Sequence, residues 1–103
     1  MATPTTVAQA IERDLHRLRV EIEDLPTLAE EWADAQDSVR YDAELTWHSV
    51  MVGLRERLDP AYRSGQMTPK QAERYRALLQ KLREALPIIA RLGFLTPHVP
   101  LEP

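Results

Sequence analysis

One hundred and three residues, 44% hydrophobic and 28% charged, with a net charge of −3, describe one ordinary globular domain with enough chain for a single core. The absence of cysteine excludes disulfides, thiolate nucleophiles and cysteine-based zinc sites. No charged segment followed by an apolar run opens the chain, so no signal peptide is expected, and uncharged stretches such as Leu45 to Leu54 are far short of the ~20 residues of a membrane span. A cytoplasmic protein with no membrane partner is expected.

Thr3-Pro4 reads as a helix cap followed by proline at the first helical position. The first helix then runs to Glu23 or Asp24. Its seam is Ile11, Leu15, Leu18, Ile22 and Leu25, stepping four, three, four, three. Pro26 is expected to stop it, and so short a connection places the next helix antiparallel beside it.

That next helix is expected from Thr27 to Leu58. Thr27 and Glu30 have the spacing of a capping box, neither proline nor glycine occurs before Gly53, and Asp59-Pro60 ends the run. At 1.5 Å per residue it would be roughly 48 Å long. A compact domain of this size is only about 33 Å across, so the rod is either broken or overhanging. Leu28, Trp32, Ala35 and Val39 form one apolar stripe, which continues through Val50 and Leu54 and broadens to Trp47, Met51 and Leu58. Tyr41, Leu45, His48 and Val52, spaced four, three, four, form a second stripe nearly opposite. A helix apolar on two faces must be covered on both.

Asp59-Pro60 opens a helical turn from Ala61 to Ser64, closed by Gly65. Thr68-Pro69-Lys70-Gln71 caps the last helix, whose seam is Ala72, Tyr75, Leu79, Leu82, Leu86 and Ile89. Pro87 is expected to kink this helix or end it early, and Gly93 to finish it. Residues 94–103 hold Pro97, Pro100 and Pro103 and read as an extended, proline-rich tail.

The expected fold is all-α: an antiparallel three-helix bundle over residues 1–93, with one long central helix and a short linking helical turn. A first helix ending near Asp24 would reach back only to Trp47. The stretch Trp47–Leu58 would then have a single helical neighbour, in the region of the second stripe. A homodimer formed through Tyr41, Leu45, Trp47, His48 and Val52 is therefore expected. The competing cover is the tail, through Phe94, Leu95, Val99 and Leu101. Charge is unevenly spread, with nine acids and one base from Glu21 to Glu44 and nine bases and four acids from Arg55 to Arg91. Antiparallel pairing of two long helices would set opposite charges side by side.

Chemistry-bearing patterns are few. Glu44 and His48, like Glu12 and His16, stand four apart, which is not the Glu-x-x-His spacing of bundle di-metal sites. They read as a seam histidine, able to make assembly pH-sensitive, and an exposed one. Glu21 with Asp24 and Glu31 with Asp34 form two acid pairs near the first helix junction. Acid pairs on facing helices hold Mg²⁺ in all-α nucleotide pyrophosphatases, whereas helix dipole and solubility explain these four without a metal. The basic set Arg55, Arg57, Arg63, Lys70, Arg74 and Arg76 could meet phosphates, but the chain is acidic overall and carries no nucleic-acid motif. Pro97-His98-Val99-Pro100 fits a PxxP pattern and reads as a linker. The expected role is a small non-catalytic interaction or assembly module without cofactor or metal, with a homodimeric or other protein partner and not nucleic acid. The alternative is a Mg/Mn-dependent hydrolase of the all-α nucleotide pyrophosphatase type, built on Glu21, Asp24, Glu31 and Asp34.

Overall fold

The computed structural model of the protein describes residues 4–101, with side chains from residue 7. The expected cap at Thr3 and the final Pro103 lie outside the described residues. The described residues are helical almost throughout and contain no strand. Helix α1 spans Pro4–Glu31 and ends in a 3₁₀ turn, Trp32–Asp34. Helix α2 spans Asp37–Gly53 and passes through a π-turn, Leu54–Leu58, into α3, Asp59–Arg63. Helix α4 spans Pro69–Leu92.

The first junction corrects the sequence reading. Pro26 lies inside α1, and Thr27 is an interior residue of that helix, not a cap. An interior proline costs a helix ~3 kcal/mol. Continuing the seam past it places Leu28, Ala29 and Trp32, each partly buried, against the core, and their combined apolar burial, at about 25 cal/mol per Å², offsets that cost. Packing therefore outweighs the proline. The chain turns ten residues later, where Ala35 and Gln36 are both extended (ψ 141° and 154°). Arg40 secures this elbow. Its Nε and Nη2 donate to the Trp32 carbonyl at 3.1 and 2.7 Å, Nη2 also reaches the Ala33 carbonyl at 3.1 Å, and the guanidinium lies 5.6 Å from the Trp32 ring centroid. A cation thus satisfies the orphan carbonyls at a helix C-terminus, where the dipole also favours it.

Asp59-Pro60 does not end the next helix either. Asp59 donates its N–H to the Leu54 carbonyl, five residues back, and Pro60 follows at the start of α3, where an absent N–H is tolerated. Arg57 folds back from this π-turn over Gly53, whose missing side chain leaves room for the guanidinium. It pairs there with Asp14 of α1 through Nε at 2.9 Å and Nη2 at 3.2 Å.

Helix α4 starts and stops on its expected signals. Thr68 Oγ1 accepts from the Gln71 N–H and Gln71 Oε1 accepts from the Thr68 N–H, both at 3.1 Å. Gly93 adopts φ 73°, a left-handed conformation natural to glycine, and Phe94 N–H bonds the Ile89 carbonyl at 3.1 Å. Pro87, expected to kink or shorten α4, leaves it running to Leu92. Ile89 and Leu92 beyond it are buried, so the same contest between packing and an interior proline is settled the same way.

Buried Gln71 donates to the Ala8 carbonyl (3.3 Å) and Glu12 Oε1 (3.1 Å), while Arg74 Nη1 grips both Glu12 oxygens at 2.8 and 2.7 Å. Further along, Ile22 and Pro26 share a cleft with Ala85 and Ile88. Contacts with α2 come in the opposite order: Asp14 meets Arg57, and Leu28 lies by Trp47. The core between these helices includes Leu15, Leu18, Leu25, Leu54, Leu79 and Leu82. Because α1 extends to Glu31, it lies beside α2 and the π-turn. The expectation that Trp47–Leu58 has one helical neighbour is thereby corrected: Val50, Met51, Leu54 and Leu58 are all buried.

Candidate interaction surface on the second helix

Burying Trp47, Val50, Met51, Leu54 and Leu58 fixes the rotation of the α2 rod and turns Tyr41, Leu45 and His48 outward. Tyr41 is 63% and Leu45 51% exposed. Val52 is half-buried and His48 exposed. Four of the five expected interface residues therefore share one outward strip. The fifth does not. Trp47 is 1% exposed, and its Nε1 donates to the Leu95 carbonyl at 2.8 Å.

The tail covers the other side of α2. Phe94 packs edge-on against Trp32 at 5.4 Å and tilted against Trp47 at 5.9 Å, and Leu95, Val99 and Leu101 rest on the same core. Val99 of the PxxP segment is thus engaged within the chain. The Trp32–Trp47–Phe94 cluster escaped the periodicity argument because its third ring comes from an irregular segment with no repeat to flag it.

The four acids named for a metal do not form two facing pairs. Glu21, Asp24 and Glu31 lie on α1 itself, and Asp34 ends the 3₁₀ turn after it. Ten residues of helix set Glu31 roughly 15 Å along the axis from Glu21. Glu21 and Asp24 instead border a cleft of about 240 Å³ with Asp42 of α2, floored by Leu25, Leu28, Trp47 and Phe94. Among the described residues, no group of three or more His, Asp or Glu side chains is placed to hold a metal ion. Glu44 and His48 are both exposed, as is His16, whose Nδ1 receives an Arg19 N–H at 3.1 Å.

Burial, and secondarily the Asp24 carboxylate, push the Glu21 carboxyl above its ordinary value, while Arg17 opposes the shift. The folded state therefore holds this proton more tightly than the unfolded chain, and ionisation works against folding. The penalty is absent below the unfolded value and complete above the folded one. Glu21→Gln should accordingly raise the thermal midpoint at pH 7 and give no gain at pH 3. A gain of equal size at both would contradict this origin. Glu12 runs the other way. Hydrogen bonds from Arg74, then Gln71, lower its carboxyl, so its contribution is present at neutral pH and fades as acid protonates it.

Much of the expected basic set is engaged within the chain. Arg57 holds Asp14, Arg74 holds Glu12, Arg63 Nε pairs with Asp59 at 2.6 Å, and Arg76 Nη1 reaches the Tyr62 hydroxyl at 3.5 Å. Among the described residues, Arg55 makes only an exposed pair with its neighbour Glu56 at 3.3 Å, of the kind worth little. Within the described residues, no helix is long and apolar enough to cross a membrane. No protein-family model, curated protein or solved structure matches the chain.

Proposed function

We propose that this protein is a small, non-catalytic assembly module of the cytoplasm, an antiparallel three-helix bundle that self-associates through the outer face of its second helix. The observation carrying the reading is the strip Tyr41, Leu45, His48 and Val52. These apolar side chains continue at helical spacing on a face that neither α1, α4 nor the tail covers. Symmetric pairing is the commonest way for a small helical protein to bury such a face. The uneven charge, acidic from Glu21 to Glu44 and basic from Arg55 to Arg91, supports a second copy as the occupant.

The hydrolase alternative draws on Glu21 and Asp24 beside Asp42 at one cleft, and loses Glu31 and Asp34 to their distance along α1. Both readings are tested by thermal melts over a hundredfold range of protein concentration, with and without millimolar Mg²⁺. Self-association predicts a midpoint that climbs by several degrees with concentration and ignores the metal. A midpoint fixed in concentration and raised by Mg²⁺ would overturn the assembly reading in favour of the hydrolase.

A further inference from the structure

Resting on the self-association reading, we infer the register of the contact: two α2 helices pack antiparallel about a twofold axis passing between Leu45 and His48. The strip is spaced four, three, four, and that pattern reads the same in reverse. A twofold at its centre therefore lays Tyr41 on the partner's Val52 and Leu45 on the partner's His48, a large side chain against a smaller one and an aliphatic against an imidazole. The next positions outward on the same face are Ser38 and Arg55. The same operation sets Arg55 beside the partner's Ser38, close to the partner's Asp34 and Asp37.

Charge decides between this arrangement and a parallel one. Arg55 is more than half exposed, and its ion pair among the described residues is with its own neighbour Glu56. Asp34 and Asp37 are exposed at the opposite end of the strip. Antiparallel pairing brings each Arg55 to the acids of the other copy, twice by symmetry. Parallel pairing would stack Arg55 on Arg55 and the acidic start of α2 on itself, and like charges across an interface oppose association. The Asp14–Arg57 pair is unaffected in either case, because Arg57 faces α1.

The absence of native cysteine makes the register directly testable, since introduced thiols will be the only ones present. Tyr41→Cys and Val52→Cys are prepared as separate full-length variants, one carrying a mass tag. Each is checked for native helicity by circular dichroism, then treated with a short bis-maleimide alone and as an equimolar mixture. The expected result is a mixed 41–52 product exceeding either self-product several-fold. Self-products that equal or exceed the mixed one would overturn the antiparallel register while leaving self-association standing. No product from variants with the mass of two chains would overturn this face as the contact. No product from monomeric variants, with wild type monomeric as well, would bring down the self-association reading itself. If only the variants are monomeric, Ser38→Cys with Arg55→Cys repeats the test with Tyr41 and Val52 intact, under the same outcomes.

Discussion

Trp47→Ala is expected to remove about 3–5 kcal/mol of folding stability. A small domain has only ~5–15 kcal/mol in total, so the thermal midpoint should fall by more than about 10 °C. Trp47 is 1% exposed and makes three connections at once. Its ring lies on Phe94, its floor is shared with Leu25 and Leu28 of α1, and its indole N–H ties the Leu95 carbonyl. Truncation opens a void among these side chains and releases the segment after α4. Trp47→Phe keeps most of the apolar contact and forfeits the hydrogen bond, so it should cost only about 1 kcal/mol. Urea titration of the three proteins checks the order. A Trp47→Ala protein as stable as wild type would mean that the residue serves the surface, as its expected place in the interface implies.

Leu18→Ala should cost ~2–5 kcal/mol, while Leu45→Ala should leave the stability of the isolated chain within about 0.5 kcal/mol of wild type. Both are leucines on long helices and both belong to apolar stripes. Leu18 is wholly buried on the face of α1 that meets α2 and α4, whereas Leu45 stands 51% exposed. Denaturant midpoints at low micromolar concentration, where association is weakest, separate the two. Equal losses would show that the outer strip is covered within the chain.

The helical class, the α4 cap, Gly65 and Gly93 as terminators, and the inward seams were legible in the sequence because each depends on a few neighbouring residues. Thr68, Gln71 and Gly93 act through local hydrogen bonds, and Ile11, Leu15, Leu18 and Ile22 through a 3.6-residue period. The prolines misled for the opposite reason. Pro26, Pro60 and Pro87 are strong local breakers, yet each lies within a continuous helical path: Pro87 has buried side chains on both sides, Pro26 has buried ones before it and partly buried ones after it, and Pro60 follows the π-turn. Tertiary burial is invisible to a breaker rule. The true elbow at Ala35–Gln36 holds neither proline nor glycine and depends on Arg40 reaching back to Trp32, a contact across eight residues that no local pattern encodes. The same shift of the elbow carried Glu31 and Asp34 away from a facing position and brought Asp42 to Glu21 and Asp24 instead. For the interface strip, spacing separated Tyr41, Leu45, His48 and Val52 from the core side of α2. Spacing also grouped Trp47 with Val50 and Leu54, but the expected shortage of helical neighbours drew it into the interface, and the partner of its indole N–H, 48 residues away in an irregular segment, carries no local signal.

Solution mass by light scattering after size exclusion tests the central claim most directly, on wild type and on Tyr41→Glu combined with Leu45→Glu. Both substituted side chains are more than half exposed, so helicity and denaturant midpoint should be retained. The account predicts twice the chain mass of 11.8 kDa for wild type and a folded particle of a single chain mass for the double variant. A wild type of one chain mass at the highest concentration tested, or a double variant still at two, would contradict it.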